Sequence, residues 1–278
     1  MAVDLSVDMI KATVQIEQAN PNGTRTVGTG FLLSDPTPDG RPRVVLVTAA
    51  HVFDTMPATE ARIGYRFQGA DGGWRYSPQP FAIRSPKGQP RWTRHPTRDV
   101  AVMEVTAPPE FAKAAIPLNW LASDDTFNHY GVEPGDEMEA LGYPLGLAAN
   151  QAGFPILRSG RVASYPLAPS AEFPTFLLDF TVFPGNSGGP VYIDQPQRKA
   201  RNGDGPPQDA EFIAGILTQQ VELSGDRLEI GIVTHARYIR EAVEMLDGHM
   251  PAPVNLARAE SAVQGAVATS AEALGQPR

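Results

Sequence analysis

The sequence predicts an all-β protein made of two halves, each with about six short strands, a pattern that fits two small barrels. Three observations carry this. Glycine and proline number 26 and 27 among 278 residues, which favours strands joined by turns over helical bundles. The segments between turns are short and rich in β-branched and aromatic residues, as strands are. No repeat of solenoid period is visible.

In the first half, residues 12–17 alternate apolar and polar, the pattern of a half-buried strand. The Asn20-Pro21-Asn22-Gly23 turn comes next, and strand resumes over 26–34, where Gly28 and Gly30 allow close approach of backbone. Residues 35–42 are a polar hairpin loop. Residues 44–48 form a continuous apolar run, expected as a buried strand that leads into His51. Residues 60–68 and 74–84 read as strands around a glycine-rich turn, 85–95 as irregular, and 99–105 as strand. The proline-punctuated stretch 108–125 connects the halves.

The second half begins near Val132. Residues 136–141, 155–165, 175–183, 191–194, 211–218 and 227–234 read as strands, and 195–209 as a mobile surface loop. Ile239, Val243 and Leu246 recur at helical spacing, so a helix over 238–246 closes the fold, ended by Gly248 and Pro251. Residues 254–278 are alanine-rich and read as helix or frayed tail. The resulting units are a first barrel over 1–117, a connection over 118–131, a second barrel over 132–236, a closing helix over 237–247 and a tail over 248–278.

Composition excludes several classes. A net charge of −8 offers no basic surface to nucleic acid or anionic membrane. Apolar runs fall far short of the roughly 20 residues of a membrane span. With no cysteine, a disulfide framework, a thiolate nucleophile and a cysteine-held metal are all excluded. No histidine pair has ligand spacing on a helix and no calcium-loop pattern appears, so no metal or cofactor is expected. Residues 1–10 lack the features of a signal peptide; the chain as written reads as cytoplasmic, or as periplasmic or secreted if it is a mature form. A monomer is expected.

The chemistry centres on Pro184-Gly185-Asn186-Ser187-Gly188-Gly189-Pro190. Such a turn exposes a serine oxygen and aims backbone N–H groups beside it, as a nucleophile with an oxyanion hole requires. A serine nucleophile needs a base and a carboxylate to orient that base. His51 ends a buried strand, and Asp99 precedes the apolar strand Val100-Ala101-Val102-Met103. Taken alone, each has a plainer reading: His51 as a histidine that merely ends a strand, Asp99 as a solvated aspartate, and Ser187, the strongest single signal, as part of a plain turn.

Together, in the order His, Asp, Ser, they resemble a trypsin/chymotrypsin-like serine peptidase, with details closer to the bacterial HtrA group. The matches are Gly28-Thr29-Gly30-Phe31-Leu32-Leu33, Val47-Thr48-Ala49-Ala50-His51, His95-Pro96 with Asp99-Val100-Ala101-Val102-Met103, and Gly185-Asn186-Ser187-Gly188-Gly189-Pro190, then the strands at 215–218 and 231–234. The resemblance spans roughly residues 10–246. It implies two six-stranded antiparallel barrels with a site between them and a serine endopeptidase that cleaves protein or peptide substrates through an acyl-enzyme. His51 is then the base, Asp99 its orienting carboxylate and Ser187 the nucleophile. Backbone N–H groups of Gly185 and Ser187 form the oxyanion hole. The primary pocket is walled by Thr218, Gln219, Gln220, Gly231 and Val233, with Thr181 at its floor. The Thr218 hydroxyl matches a position that supports the aspartate.

Three departures matter. Asn186 stands where digestive enzymes carry an aspartate that pairs with a processed N-terminus, so no activation by N-terminal processing is expected. Thr181 is neutral, so no charge selects lysine or arginine, and the expected substrate side chain is small or medium and uncharged. About 30 residues come after the closing helix, too few for the PDZ domain of HtrA enzymes. Two other readings compete. Gly185-x-Ser187-x-Gly189 also fits the nucleophile elbow of an esterase, but Pro190 to Ile193 reads as strand where that fold needs a helix. A catalytically silent homologue acting as a protein-binding module usually lacks one catalytic group, and all three stand here.

Overall fold

The computed structural model describes residues 5–199, 206–223 and 226–248, and gives only the backbone of 219–223 and 226–227. The alanine-rich stretch 254–278 and the stop at Pro251 lie outside the described residues.

The first half comprises helix α1 (Leu5–Ala12), strands β1 (Thr13–Ala19), β2 (Arg25–Ser34) and β3 (Val44–Thr48), the short helix α2 (Ala50–Asp54), and strands β4 (Glu60–Gln68), β5 (Trp74–Ala82), β6 (Thr93–Arg94) and β7 (Ala101–Glu104). The connection holds α3 (Pro109–Ala114), β8 (Ile116–Pro117) and α4 (Asp124–Tyr130). The second half comprises β9 (Glu137–Gly142), β10 (Ile156–Val162), β11 (Thr175–Asp179), β12 (Pro190–Arg198), β13 (Gln208–Leu223), β14 (Asp226–His235) and α5 (Ala236–Leu246).

The second half is a closed six-stranded barrel in the order β10-β11-β14-β13-β12-β9. The first half is an eight-stranded sheet ordered β5-β4-β1-β2-β3-β7-β6, with β8 added parallel to β2. Its two ends are drawn together by an irregular hairpin, where Arg91 N donates to Ile83 O at 2.9 Å and Arg84 bridges to Pro90.

Period-two alternation sends the side chains of this sheet into two cores. Leu32, Leu46, Ala101 and Met103 pack with Ile63, Tyr65 and Phe53 inside the first half. Their neighbours Phe31, Leu33, Val45, Val47 and Val102 join the core of the closed barrel. β3 is thus buried on both faces, which is why its sequence is apolar from Val44 to Val47.

Several elements differ from expectation. α1 precedes the first strand and buries Leu5, Met9 and Ala12 at helical spacing. β1 is not half-buried: all but Ala19 are buried, because its polar side chains find partners. Gln15 accepts from Tyr76 and donates to Gly146 O, Gln18 donates to Glu60 O, and Glu17 pairs with Arg25. His51 enters α2 rather than a loop. β11 stops at Asp179, short of Phe183. At the two ends of the expected 195–209 loop, residues 195–198 and 208–209 are instead strand, with Arg198 opposite Gln208; residues 200–205 lie outside the described residues.

Candidate active site

Strand register brings His51 and Asp99 together. β3 and β7 are antiparallel with Thr48 opposite Ala101. His51 lies three residues past one strand end and Asp99 two residues before the other, so both emerge at the same edge. Asp99 Oδ1 accepts from the His51 backbone N–H at 2.9 Å, and Oδ2 lies 2.6 Å from His51 Nδ1. With the Nδ1 proton directed at the carboxylate, Nε2 is left as the basic nitrogen.

The two side chains are 39% and 28% exposed, so the pair sits at the surface rather than in a core. Burial raises the Asp99 carboxyl, but the hydrogen bonds from the His51 side chain and backbone, with the charges of His51 and Arg94, outweigh it and hold Asp99 below its ordinary value. Asp99 is therefore ionised at neutral pH. Its loop is braced from behind by buried His95, whose N–H donates to Val100 O at 2.9 Å and whose Nδ1 accepts from Thr97 N. That leaves Nε2 to donate to Glu241 on α5 at 3.1 Å.

The serine turn comes from the other half and lies against the same strand ends. Thr29 N donates to Ser187 O at 2.9 Å, and the Thr29 hydroxyl donates to Gly185 O at 2.6 Å. Gly185 and Gly188 sit at φ 96° and 90°, a region that L side chains rarely enter. At Gly188 a Cβ would also run into Thr29 O and the Thr48 hydroxyl, one and three residues short of Ala49 and His51.

The N–H groups of Asn186, Gly188 and Gly189 are used within the fold, donating to Phe183 O, Leu217 O and Asn186 O. Among the described residues, those of Gly185 and Ser187 have no such partner. Pro184 O accepts from Leu145 N at 2.6 Å, and in a trans peptide the N–H after it points the opposite way. The Gly185 N–H is thereby turned away from the 143–146 loop. Leu145 takes φ 53°, a strained value for leucine, to supply that donor.

The Ser187 hydroxyl donates to Thr218 O at 3.3 Å, and no hydrogen bond joins it to His51 among the described residues. The Thr218 hydroxyl bonds Ile232 O and the Thr234 hydroxyl, not Asp99, because it faces the β13–β14 ladder. The expected support for the aspartate is thus not made by Thr218. Leu217 pairs with Val233, and Gln220 with Gly231, while Gly231 packs on Phe180 and Val182, so the segments expected to wall and floor a pocket are neighbours. The side chains of Gln219 and Gln220 lie outside the described residues. The strand β12 continues directly from the serine turn, which removes the strand–elbow–helix context of the esterase reading.

Sequence reasoning misses Thr29, which touches the turn at both Gly185 and Ser187, and Arg94, whose charge reaches Asp99. Thr29 lies within the first glycine motif, and a threonine between two glycines is its signal. Among the described residues no group of three or more acidic or histidine side chains has a metal-holding arrangement, and no helix is long and apolar enough to cross a membrane.

Comparison with solved structures finds the HtrA-type protease AlgW with a decapeptide, at 18% identity and TM-score 0.50, and a substituted form of AlgW with a tripeptide, at 17% and 0.51. Each match covers 89% of this chain and spans 68% and 64% of the AlgW chains, about two thirds of their length. The shared fold is the chymotrypsin-like one. No curated protein matches the chain. The model of the trypsin-like peptidase domain matches residues 28–197, which run from the first glycine motif through the serine turn. The chain belongs to the trypsin-like peptidase family.

Proposed function

We propose that the protein is a serine endopeptidase acting through Ser187, His51 and Asp99. The observation that carries this reading is the two-point contact between Asp99 and His51, made at the strand edge on which the Ser187 turn rests. Asp99 fixes the imidazole tautomer, and Nε2 takes the proton from the Ser187 hydroxyl as its oxygen attacks the substrate carbonyl carbon. Rotation about the Cα–Cβ bond of Ser187 carries the hydroxyl from Thr218 O towards His51, a movement between staggered rotamers. The carbonyl oxygen becomes an oxyanion held by the N–H groups of Gly185 and Ser187. His51 then gives the proton to the leaving amine, the C–N bond breaks, and water repeats the sequence on the acyl-enzyme.

Thr218 to Gln220 and Gly231 to Val233 wall the primary pocket, with Thr181 at the floor. A protein or peptide is the substrate, in keeping with the peptides bound by the two AlgW structures. A fluorophosphonate probe tests the reading. Folded protein should be labelled at Ser187, and Ser187→Ala and His51→Ala should not. Absence of labelling in the folded chain would leave a silent, peptide-binding homologue instead.

A further inference from the structure

Along β10 exposure alternates, and Arg158 lies on the face that also carries the buried Gly160 and Val162. A cation turned towards a barrel interior is costly unless something holds it. The Arg158 guanidinium donates through Nη1 to the carbonyl of Thr181. It also lies over the rings of Phe180 at 5.1 Å and Phe183 at 5.7 Å, which fixes its plane. Among the described residues no carboxylate lies within ion-pair distance of it. Glu229, exposed on β14, acts on it only through space. Burial lowers the guanidinium from its ordinary value, and Glu229 opposes this. The charge is thus held by one carbonyl and two aromatic faces.

Thr181 precedes Ser187 by six residues and is the floor of the primary pocket in the function proposed above. We infer that Arg158 places a positive charge at that floor, so that the pocket selects glutamate or aspartate on the acyl side of the scissile bond; the inference rests on that proposed function. Guanidinium carries five donors in a planar fork that matches a carboxylate at two points. One nitrogen serves Thr181 O and the others remain for substrate. A lysine or arginine side chain is repelled from the same floor. The neutral side chain of Thr181 points to uncharged substrates when the sequence alone is read. The charge enters instead from β10, through the Thr181 backbone.

The test uses the full chain and paired substrates that differ only by glutamate or glutamine at the cleaved position. Wild type should favour glutamate by at least about 10-fold in kcat/KM, the size of a charge-assisted hydrogen bond. The ratio should fall towards one in Arg158→Gln, and Arg158→Lys should keep part of it, which separates lost charge from lost folding. Binding of product-like peptides ending in glutamate or glutamine is measured in parallel by fluorescence polarisation. Protein that is labelled at Ser187 but cleaves equally after both residues, or keeps its preference in Arg158→Gln, overturns the inference. A chain that resists labelling yet binds the glutamate-ended peptide through Arg158 overturns the proposed activity and keeps the pocket. Equal binding of both peptides by such a chain overturns both.

Discussion

The Thr29 hydroxyl spans the two halves of the molecule, donating to Gly185 O and accepting from Tyr143 N at 3.1 Å. One buried oxygen therefore ties the first glycine motif to the serine turn and to the end of β9. Thr29→Val keeps the shape but leaves a buried carbonyl and a buried N–H unpaired. The expected cost is about 2–4 kcal/mol in stability. Fluorophosphonate labelling of Ser187 should also slow, because the Gly185 peptide loses its anchor. Urea midpoints and labelling rates measure the two effects, and unchanged labelling would remove Thr29 from any positioning role.

Asp99→Asn should lower kcat on the order of 10⁴-fold, since an amide no longer demands the Nδ1–H tautomer of His51. Ser187→Ala or His51→Ala should cost on the order of 10⁴ or more. Because the three act as a unit, the double variant Asp99→Asn with Ser187→Ala should be no worse than Ser187→Ala alone. Additive losses in steady-state assays would contradict a shared relay.

His235 gives the fold a pH dependence of its own. It is buried against the rings of Phe127 and Phe176, and its Nε2 has no hydrogen-bond partner among the described residues. Burial lowers it from 6.5 to about 4, against the opposing pull of Asp124. The unfolded chain takes up this proton as pH falls through 6.5 while the fold refuses it. Stability should therefore fall by roughly 3 kcal/mol between pH 6.5 and 4. Asp99 and Glu241 are held below their ordinary 3.8 and 4.5, so their contribution is complete above those values and is lost only at lower pH. Urea titrations at pH 7, 5.5 and 4.5 should show the slope in wild type and its loss in His235→Leu.

Arg66 is a buried cation with five acceptors. It donates to Tyr143 Oη and Gly153 O on one side and to Ile10 O, Lys11 O and Thr13 O on the other. Of the latter, Ile10 O and Lys11 O are carbonyls of the last turn of α1, where a cation is favoured. Arg66→Met should destabilise by at least about 3 kcal/mol. Arg66→Lys should not restore it, because an ammonium cannot span both sets. Denaturation midpoints of the two variants decide this.

Legibility in the sequence tracks burial. β3 is readable because both faces are apolar, and α5 because one stripe is. β1 misleads since Gln15, Glu17 and Gln18 look solvated until partners from other strands are known. β11 reads too long because Phe180 to Phe183 are strand-like residues that instead leave the ladder. At the site, the turn around Ser187 and the strand ends at 51 and 99 carry local signals. Thr29 and Arg158 carry little, for their roles depend on Gly185 and Thr181, which are 156 and 23 residues away.

Among the described elements, the first and the last helix each reach across to the other half. α1 begins the chain's first half, yet Ser6 bonds Glu139 and Asp194 of the second at 2.7 and 2.8 Å. α5 comes after the second half, yet Glu241 holds His95 while Asp247, just past its end, holds Arg43 at 2.8 Å. Each half thus wears a piece of the other as a clasp. Neither would be expected to fold as an isolated fragment, and a nascent chain cannot finish its first half until α5 has left the ribosome.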